Sequence, residues 1–421
     1  MAAPPGLRCN RCERVQRPAG YVLECCPDGL LIGDYPRELT VREDQQGLWR
    51  FTDWLPVEAP GDQPVGGVTY RSEALGDALG LDQLWVSFNG YWPEMGAGCP
   101  TCSFKDLEVA PTFQRLVERG ATGVVVASAG NTGRSFAAVG SRVSFPVVVI
   151  VAEQHLERLW CPGRPHGPTT LVIGLQDADY NDAIDVAGEV AARVDFELEG
   201  GVKNVARRDG IGTLLLDAAE VVGRLPDHYV QAVGGGPGPI GVGGMAERLL
   251  ATGARGDRLP RFHLAQDAAH HPVHTAWTAG RDRLSPDDVP PTPGTLYADV
   301  LLNRSPAYEV RGGLWDLLTA SDGRTYAVGH DEARAARDLF ESTEGVDVME
   351  APAVALGALH QAVAAGAVGR DDVVLLGVTG GGVERLRQDV ELHPARPDLL
   401  TSRAPATDAI VDLVEGALVG V

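Results

Sequence analysis

Short runs of apolar residues recur along this chain and are separated by stretches with helical spacing. Continuous apolar runs lie at 123–127, 145–151 and 171–174, and an amphipathic helical pattern covers 182–194. Unbroken apolar strands between helices are typical of a parallel sheet that is covered on both faces. This part of the chain therefore predicts an α/β domain.

The same alternation begins again after residue 195 and continues through most of the chain. The further predicted elements are strands at 229–233, 262–264 and 373–378, and helices at 210–225, 239–252, 331–342 and 351–365. A chain of 421 residues is long enough for two or three packed domains. We predict a cysteine-bearing lobe at 1–35, a small inserted α/β domain at 86–195, and a larger domain built from 36–85 and 196–421.

The charge balance restricts the kinds of partner. The chain has 36 Lys and Arg against 57 Asp and Glu, so its formal net charge is −21. Such an acidic surface argues against nucleic acid or an anionic membrane as partner. No apolar run is long enough to span a bilayer, and residues 1–7 lack the features of a signal peptide, so we expect a cytoplasmic protein. An anionic substrate would need a site that is locally positive.

Lysine is rare in this chain, because Lys105 and Lys203 are the only two. Chemistry that needs a lysine amine therefore has two candidates. Lys105 opens a predicted helix in Ser-Phe-Lys-Asp, and both burial and a helix N-terminus lower the pKa of an amine. The alternative for Lys105 is a solvated surface lysine. Lys203 is interpreted as an exposed loop residue or an anion contact.

A turn of small residues joins the predicted strand at 123–127 to a helix. Backbone amides of such a turn can face inward, and the start of a helix favours an anion, so a substrate carboxylate suits this place. The alternative is an ordinary turn in which Asn or Thr caps the helix. The residues of the turn are Ser128, Ala129, Gly130, Asn131 and Thr132.

Two glycine-rich segments follow predicted strands. Gly234, Gly235, Gly236 and Gly238 follow the strand at 229–233, and Thr379 precedes three glycines after the strand at 373–378. Glycines let several N–H groups converge on a phosphate, and open α/β sheets bind ligands at the carboxyl ends of their strands. The first segment is neither a dinucleotide fingerprint nor a P-loop. Plain turns are the alternative for both.

The N-terminal cysteines have spacing that suits zinc. Cys9 and Cys12 form a knuckle pair, and Cys25 and Cys26 follow as adjacent residues. We predict either a structural zinc ion on these four residues or a ribbon of reduced thiols. The histidines of the polar connection at 265–295 are interpreted as part of a flexible loop near the substrate entrance rather than metal ligands; they are His270, His271 and His274.

Taken in order, these motifs resemble the fold-type II pyridoxal-phosphate (PLP) enzymes, of the tryptophan synthase β-like fold, and specifically their threonine synthase-like branch. The likeness covers roughly residues 8–390, from the cysteine knuckle to Thr-Gly-Gly-Gly. It implies two doubly wound domains with parallel or mixed sheets behind a short N-terminal cysteine lobe. It also implies bound PLP, a homodimer and a place in amino-acid biosynthesis.

Within that branch the chain looks most like the cysteate synthase family, on Leu107, on Gln-Ala-Val-Gly-Gly-Gly at 231–236 and on Leu-Ala-Gln-Asp at 264–267. That likeness implies a β-replacement on O-phospho-L-serine. Phosphate leaves through an aminoacrylate intermediate and sulfite adds as the nucleophile to give L-cysteate. The alternatives are threonine synthase, which uses O-phosphohomoserine and water, a β-replacement with another nucleophile, and a non-catalytic protein of the same fold.

The resemblance also assigns roles to residues. It implies a Schiff base between PLP and Lys105, a contact of Asn131 with the phenolic oxygen of PLP, and a contact of Thr379 with the pyridine nitrogen. It places the cofactor phosphate on Gly234, Gly235, Gly236 and Gly238 and the substrate carboxylate on the turn at 128–132. Pro237 and the adjacent pair Cys25-Cys26 depart from the pattern of the family.

Overall fold

The computed structural model of the chain describes residues 6–253, 255–289 and 294–418. Strands and helices alternate along most of this length. The strands are β1 (Gly6–Cys9), β2 (Val15–Gln16), β3 (Leu31–Asp34), β4 (Val68–Arg71), β5 (Leu84–Phe88), β6 (Tyr91–Trp92), β7 (Ala97–Gly98), β8 (Val124–Ser128), β9 (Val147–Ala152), β10 (Trp160–Pro162), β11 (Thr170–Gln176), β12 (Glu197–Leu198), β13 (His228–Ala232), β14 (Arg261–Asp267), β15 (Arg324–Val328), β16 (Val374–Val378), β17 (Leu392–Pro394) and β18 (Leu399–Ser402). The helices are α1 (Glu73–Leu79), α2 (Lys105–Glu118), α3 (Asn131–Val143), α4 (Tyr180–Ala191), α5 (Val205–Val222), α6 (Pro237–Thr252), α7 (Pro272–Thr278), α8 (Leu314–Ala320), α9 (His330–Glu344), α10 (Glu350–Ala364), α11 (Val383–Asp389) and α12 (Arg403–Ala417).

The larger sheet has six strands in the order β15-β14-β13-β16-β5-β4. Its first five strands are parallel, and β4 is an antiparallel edge strand. From β13 the chain continues to β14 and β15 on one side, whereas β16 lies on the other side. The strand order therefore reverses between β13 and β16, and ligands of open α/β sheets bind at the carboxyl ends of such a pair.

Both faces of this sheet are buried. Tyr229 packs in a cluster with residues of α5 and α6, and the next residue, Val230, packs with residues of α10 on the opposite face. Successive side chains of a strand point to opposite faces of the sheet, so a strand that is buried on both faces has a continuous run of apolar residues in its sequence. This explains why the hydrophobic pattern predicts β13 and its neighbours.

The smaller sheet has five strands in the order β12-β8-β9-β11-β18, all of them parallel. Its last strand comes from the C-terminal part of the chain, and α12 packs beside it on α4. The sequence pattern had predicted that this segment belongs to the larger domain. Only one of the four residues of β18, Thr401, is buried, so this edge strand lacks the apolar run that marks the central strands.

Helix α2 carries Lys105 and packs closely against α5. A Cβ atom on Gly210 of α5 would collide with the carbonyl oxygen of Leu107. The absence of a side chain at Gly210 therefore lets the two helices meet backbone to backbone. This close contact brings the beginning of α5 next to Lys105.

The N-terminal lobe is a three-stranded antiparallel sheet in the order β2-β1-β3. Leu7 and Leu31 of this lobe pack on Val205 at the start of α5.

The predicted α/β class, its parallel and mixed sheets and the N-terminal lobe are confirmed. Within the described residues, no helix is long and apolar enough to cross a membrane.

Candidate active site

A cavity of about 810 Å³ opens where the two large sheets meet. It lies at the carboxyl ends of β8, β13 and β16. All the residues assigned from the sequence to the cofactor and the substrate line this cavity. They are Lys105, Ser128, Ala129, Gly130, Asn131, Thr132, Gly234, Gly235, Gly236, Gly238 and Thr379. The fold therefore brings these separate segments to one place, and their individual roles stay predictions.

Lys105 is the first residue of α2, and its side chain is 16 % exposed. Its Nζ atom lies 3.1 Å from Oε2 of Glu108 and 4.6 Å from the ring centroid of Phe104. Burial lowers the pKa of the Lys105 amine, and the guanidinium of Arg207 lowers it further, although the carboxylate of Glu108 opposes both. A lysine with a lowered pKa is suited to act as a nucleophile or base.

A buried network of charges lies behind Lys105. Oε1 of Glu108 accepts a hydrogen bond from Oγ1 of Thr132 at 2.9 Å, and Nε of Arg207 lies 3.0 Å from Oε2 of Glu108. Nη1 of Arg207 donates to Oε2 of Glu199 at 2.8 Å. This network was not predicted from the sequence. The proximity of Glu108 to Lys105 could have been predicted, because residues three apart lie on the same face of a helix. Nothing in the local sequence marks Arg207 or Glu199 as members of the site.

The turn after β8 is held by Ser128, whose Oγ accepts hydrogen bonds from the backbone N–H groups of Gly130 and Gly133 at 2.9 and 2.8 Å. Gly130 has φ 134°, a conformation that only glycine adopts readily. Arg158 covers the turn and donates from Nη1 to the carbonyl oxygen of Ala129 at 3.2 Å. The N-terminus of α3 therefore faces the cavity beside a cationic side chain, which suits a carboxylate.

The glycine loop after β13 has little room for side chains. A Cβ on Gly234 would lie 3.0 Å from the carbonyl oxygen of Leu301, and one on Gly235 would lie 3.0 Å from Nδ2 of Asn303. Gly236 has φ 100° and directly precedes α6. This bare backbone at a helix N-terminus fits a phosphate group. Asn303, which was not predicted from the sequence, lines the same side of the cavity.

Pro237, a departure from the family pattern, is the first residue of α6. Proline is favoured at this position, because the first N–H groups of a helix have no partner within the helix and the ring presets the helical φ. Pro237 therefore starts the helix without removing a helical hydrogen bond.

Thr379 follows β16, and its carbonyl oxygen accepts a hydrogen bond from the backbone N–H of Phe104 at 3.0 Å. The neighbouring residues Ser103 and Gly380 form an isolated β-bridge. The segment that leads into Lys105 is therefore tied by its backbone to the end of β16. This pairing places Thr379 and Lys105 on the wall of the same cavity.

Cationic side chains line the cavity although the chain as a whole is acidic. Arg134 is buried over the ring of Trp160, 4.2 Å from its centroid, and Arg158 forms an ion pair with Asp299. With Lys105 and Arg207, four basic residues line the space against three acidic ones among the described residues, Glu157, Asp299 and Glu350. The expectation that an anionic substrate needs a locally positive site is consistent with this arrangement.

The three histidines of the polar connection do not line the cavity. His270 is 2 % exposed, and its Nε2 lies 2.9 Å from the carbonyl oxygen of Asn303, while Nδ1 of His274 lies 3.0 Å from Oγ1 of Thr325. Pro272 begins α7 here, so the prediction of a flexible loop was wrong for this segment. The reason is that proline breaks a helix in its interior but is tolerated at its first position.

The four N-terminal cysteines form one cluster, and their sulfur atoms all lie within 4.8 Å of one another. Sγ of Cys12 is 3.7 Å from Sγ of Cys25, which is 4.0 Å from Sγ of Cys26. All of them are free thiols. The Sγ atoms of the adjacent residues Cys25 and Cys26 thus both lie within the cluster, although adjacent cysteines depart from the usual spacing of zinc ligands.

Comparisons with known proteins agree with this geometry. Residues 71–380 match the family model described as pyridoxal-phosphate dependent enzyme. The chain is 44% identical over 399 residues to a cysteate synthase of Methanocella paludicola, covering 93% of each chain. It is 43% identical over 401 residues to a cysteate synthase of Methanosarcina mazei, covering 94% of this chain and 96% of the relative.

Solved structures support the fold. Serine racemase from Dictyostelium discoideum superimposes with a TM-score of 0.55 at 17% identity, covering 75% of this chain and 92% of that one. Maize serine racemase gives a TM-score of 0.57 at 17% identity, covering 77% of this chain and 91% of that one. The chain belongs to the pyridoxal-phosphate-dependent enzymes and, among them, to the cysteate synthase family.

Proposed function

We propose that this protein catalyses a β-replacement on O-phospho-L-serine, in which sulfite takes the place of phosphate and L-cysteate is formed. The observation that carries the proposal is the similarity to cysteate synthases over nearly the full length of the chain. The cavity supports it, because it combines a buried lysine with two helix N-termini that favour anions.

The residues around the cavity fit PLP. The loop at Gly234–Gly236 and the start of α6 would hold its phosphate, since a bare glycine backbone at a helix N-terminus can direct several N–H groups to an anion. Asn131 would bind its phenolic oxygen and Thr379 its pyridine nitrogen, and Lys105 would form the covalent link. When bound, PLP supplies an electron sink that makes the Cα–H bond of an amino acid easier to break.

The other steps, which are substrate binding and proton transfer, are assigned to residues of the protein. The turn at 128–132 would bind the substrate carboxylate and orient the Cα–H bond toward Lys105. Lys105 would remove the Cα proton as a general base. The Cβ–O bond then breaks and phosphate leaves with the bonding electrons. The lone pair on the sulfur of sulfite forms the new Cβ–S bond, and Lys105 returns the proton to Cα.

Arg158 suits this reaction because both the leaving group and the nucleophile are anions. Its side chain lines the cavity, forms an ion pair with Asp299 and donates to the carbonyl oxygen of Ala129. A fixed cation of this kind favours the entry of phosphorylated substrates and sulfite. It also stabilises the negative charge that develops on the departing phosphate. The charge of Arg207, in contrast, is compensated by the carboxylates of Glu108 and Glu199.

An end-point assay tests the reaction. The PLP-loaded protein is incubated with O-phosphoserine, with and without sulfite, and in parallel with O-phosphohomoserine. We expect sulfite-dependent release of phosphate together with L-cysteate. Threonine from O-phosphohomoserine would refute the proposal in favour of threonine synthase. Phosphate release from O-phosphoserine without cysteate would point to another nucleophile. The Lys105→Ala variant should have neither activity nor the visible absorbance of bound cofactor.

We also propose that the N-terminal cysteines bind a structural zinc ion. Four thiolates are a common zinc ligand set, and Zn–S bonds of about 2.3 Å place the sulfurs of a tetrahedron about 3.8 Å apart. The separations of 3.7 Å for Cys12 and Cys25 and 4.0 Å for Cys25 and Cys26 fit this spacing. No step of the reaction involves this lobe, so the ion would serve stability.

Metal analysis of the purified protein tests the zinc proposal. We expect one zinc per chain in the wild type and its loss in Cys12→Ser. Cys161→Ser is the matched control, because Cys161 is a buried free cysteine outside the cluster, and it should keep the metal. A wild-type protein that takes up no zinc from a zinc-supplemented medium would leave four reduced thiols as the correct description.

A further inference from the structure

Glu108 is a carboxylate in an unusual place, because its side chain is 1 % exposed and lies directly beside the reactive lysine. It stands three residues after Lys105 on α2, so both side chains share one face of the helix. Oε2 of Glu108 is 3.1 Å from Nζ of Lys105. A buried carboxylate is costly unless it is paired, so the position of this group needs a reason.

Helix α5 and the segment before it supply the partners of this carboxylate. Arg207 contacts Glu108 through Nε and Glu199 through Nη1. Nδ2 of Asn204 donates to Oε1 of Glu199 at 3.2 Å. Two carboxylates, one guanidinium and one amine thus form a closed group. Its net charge is zero when Lys105 is an ammonium ion and −1 when Lys105 is neutral.

Two tyrosines lie near this network: Tyr21, whose hydroxyl donates to the carbonyl oxygen of Glu199 at 3.3 Å and whose pKa is raised by burial, and Tyr180 on α4, which lines the same cavity. Burial raises the pKa of Tyr180, so its phenol is neutral near pH 7. Charged groups therefore act on the Lys105 amine from two elements, Glu108 on its own helix and Arg207 with Glu199 from the region of α5. Arg207 disfavours the ammonium form, and the two carboxylates favour it.

We infer that Glu108 is a positioning residue that holds the proton on Lys105 between its removal from Cα and its return to Cα. The inference rests on the proposed β-replacement. In that reaction the free Lys105 amine takes the Cα proton and becomes an ammonium ion before sulfite arrives. The ion pair with Glu108 keeps that ammonium group in place, and the buried network is neutral in this state. The same proton then returns to Cα when the Cβ–S bond forms.

A purely structural role is the competing explanation. The Glu108–Arg207 pair could serve only to seat α5 on α2, as other buried ion pairs do. The charge of Glu108 acts on the Lys105 amine in either case, but a purely structural pair would leave the return of the proton to Cα unaffected. The titration of Lys105 therefore tests whether Glu108 stabilises the ammonium form. The ratio of cysteate formed to phosphate released tests whether the proton returns to Cα: Glu108→Gln should lower this ratio, and an unchanged ratio would overturn the inference.

The experiment follows the full-length protein without its cofactor as it regains visible absorbance after PLP is added. The rate depends on the neutral fraction of the Lys105 amine, so its pH dependence reports the pKa of Lys105. Glu108→Gln keeps the size and the hydrogen bond to Thr132 but removes the charge. We expect its midpoint to fall by about one to three pH units relative to wild type.

Two further variants keep the test decisive. Glu108→Asp retains the charge on a shorter side chain, so its midpoint should lie between those of wild type and Glu108→Gln. Glu199→Gln removes one charge from the same network without touching the amine, and its shift should be smaller than that of Glu108→Gln. An unchanged midpoint in Glu108→Gln, or a larger shift in Glu199→Gln, would overturn the inference. The loading rates need no substrate, so a failure of the proposed reaction would appear separately, as wild-type protein that forms no cysteate.

Discussion

Replacing Gly238 with alanine tests whether the beginning of α6 forms the phosphate site. A Cβ at this position would lie 2.5 Å from Nε2 of Gln231 and 3.2 Å from Cε2 of Phe104. Gln231 is 2 % exposed, and its Oε1 accepts a hydrogen bond from the hydroxyl of Tyr229 at 2.6 Å. The amide can turn away only by breaking this hydrogen bond and moving into the cavity that Gln231 also lines. Either the amide then enters the cofactor site or the first turn of α6 moves.

The size of the effect follows from this clash. An extra methyl group in a well-packed site costs about 1–3 kcal/mol. Moving the first turn of α6 relieves the clash, but it also displaces the backbone N–H groups that would hold the phosphate of PLP. If the whole cost appears in cofactor binding, the dissociation constant of PLP rises about 5- to 150-fold. The same substitution should also lower the melting temperature.

A titration of cofactor-free protein with PLP, followed by absorbance, measures the dissociation constant. Gly244→Ala is the matched control, since Gly244 lies in the same helix and a Cβ there would meet no atom within 4 Å. In the control we expect unchanged PLP binding and a gain in stability of about 0.5–1 kcal/mol. Wild-type affinity and wild-type melting temperature in Gly238→Ala would refute the packing argument.

Two further predictions concern stability. Arg207→Met leaves the carboxylates of Glu108 and Glu199 buried without their shared cation, and urea denaturation should show a loss of about 3–5 kcal/mol; a loss of less than half of this would contradict the buried network. Burial, with help from His228, lowers the pKa of His263 from 6.5 to about 3, so the unfolded chain binds a proton there that the folded chain does not. Stability should therefore fall as pH decreases from 6.5 toward 3, and His263→Gln should show a shallower fall in urea midpoints between pH 7 and pH 5. Equal slopes in the variant and the wild type would contradict this.

Local patterns explain why much of the site could be predicted. The turn at 128–132 and the glycine loop at 234–236 each follow a buried strand and precede a helix, and these features are visible within a few residues. Lys105 stood out because lysine is so rare in the chain. Parallel strands place their carboxyl ends at one edge of a sheet, which accounts for the proximity of the ends of β13 and β16, whereas β8 belongs to the smaller sheet and meets them through packing between the two sheets.

Other members of the site gave no such signal. Arg207 lies inside a helix and Asn303 in a connection, and neither residue type is unusual there. Each reaches the cavity only because another part of the chain packs beside it. Gly210 is one example of such packing, because its lack of a side chain lets α5 approach α2 closely. This approach places Arg207 beside Glu108. Contacts of this kind depend on residues that are far apart in the chain.

By itself, the sequence determined the α/β class, the order of most strands and helices, the family and the segments that line the cavity. These depend on local hydrophobic periodicity and on short motifs. Only the tertiary structure decided that β18 completes the smaller sheet, that Pro272 begins a helix, and that Glu108 meets both Lys105 and Arg207. The physical reason is that burial and charge pairing are set by packing between distant segments, and a local pattern carries no information about which distant segment will supply the partner.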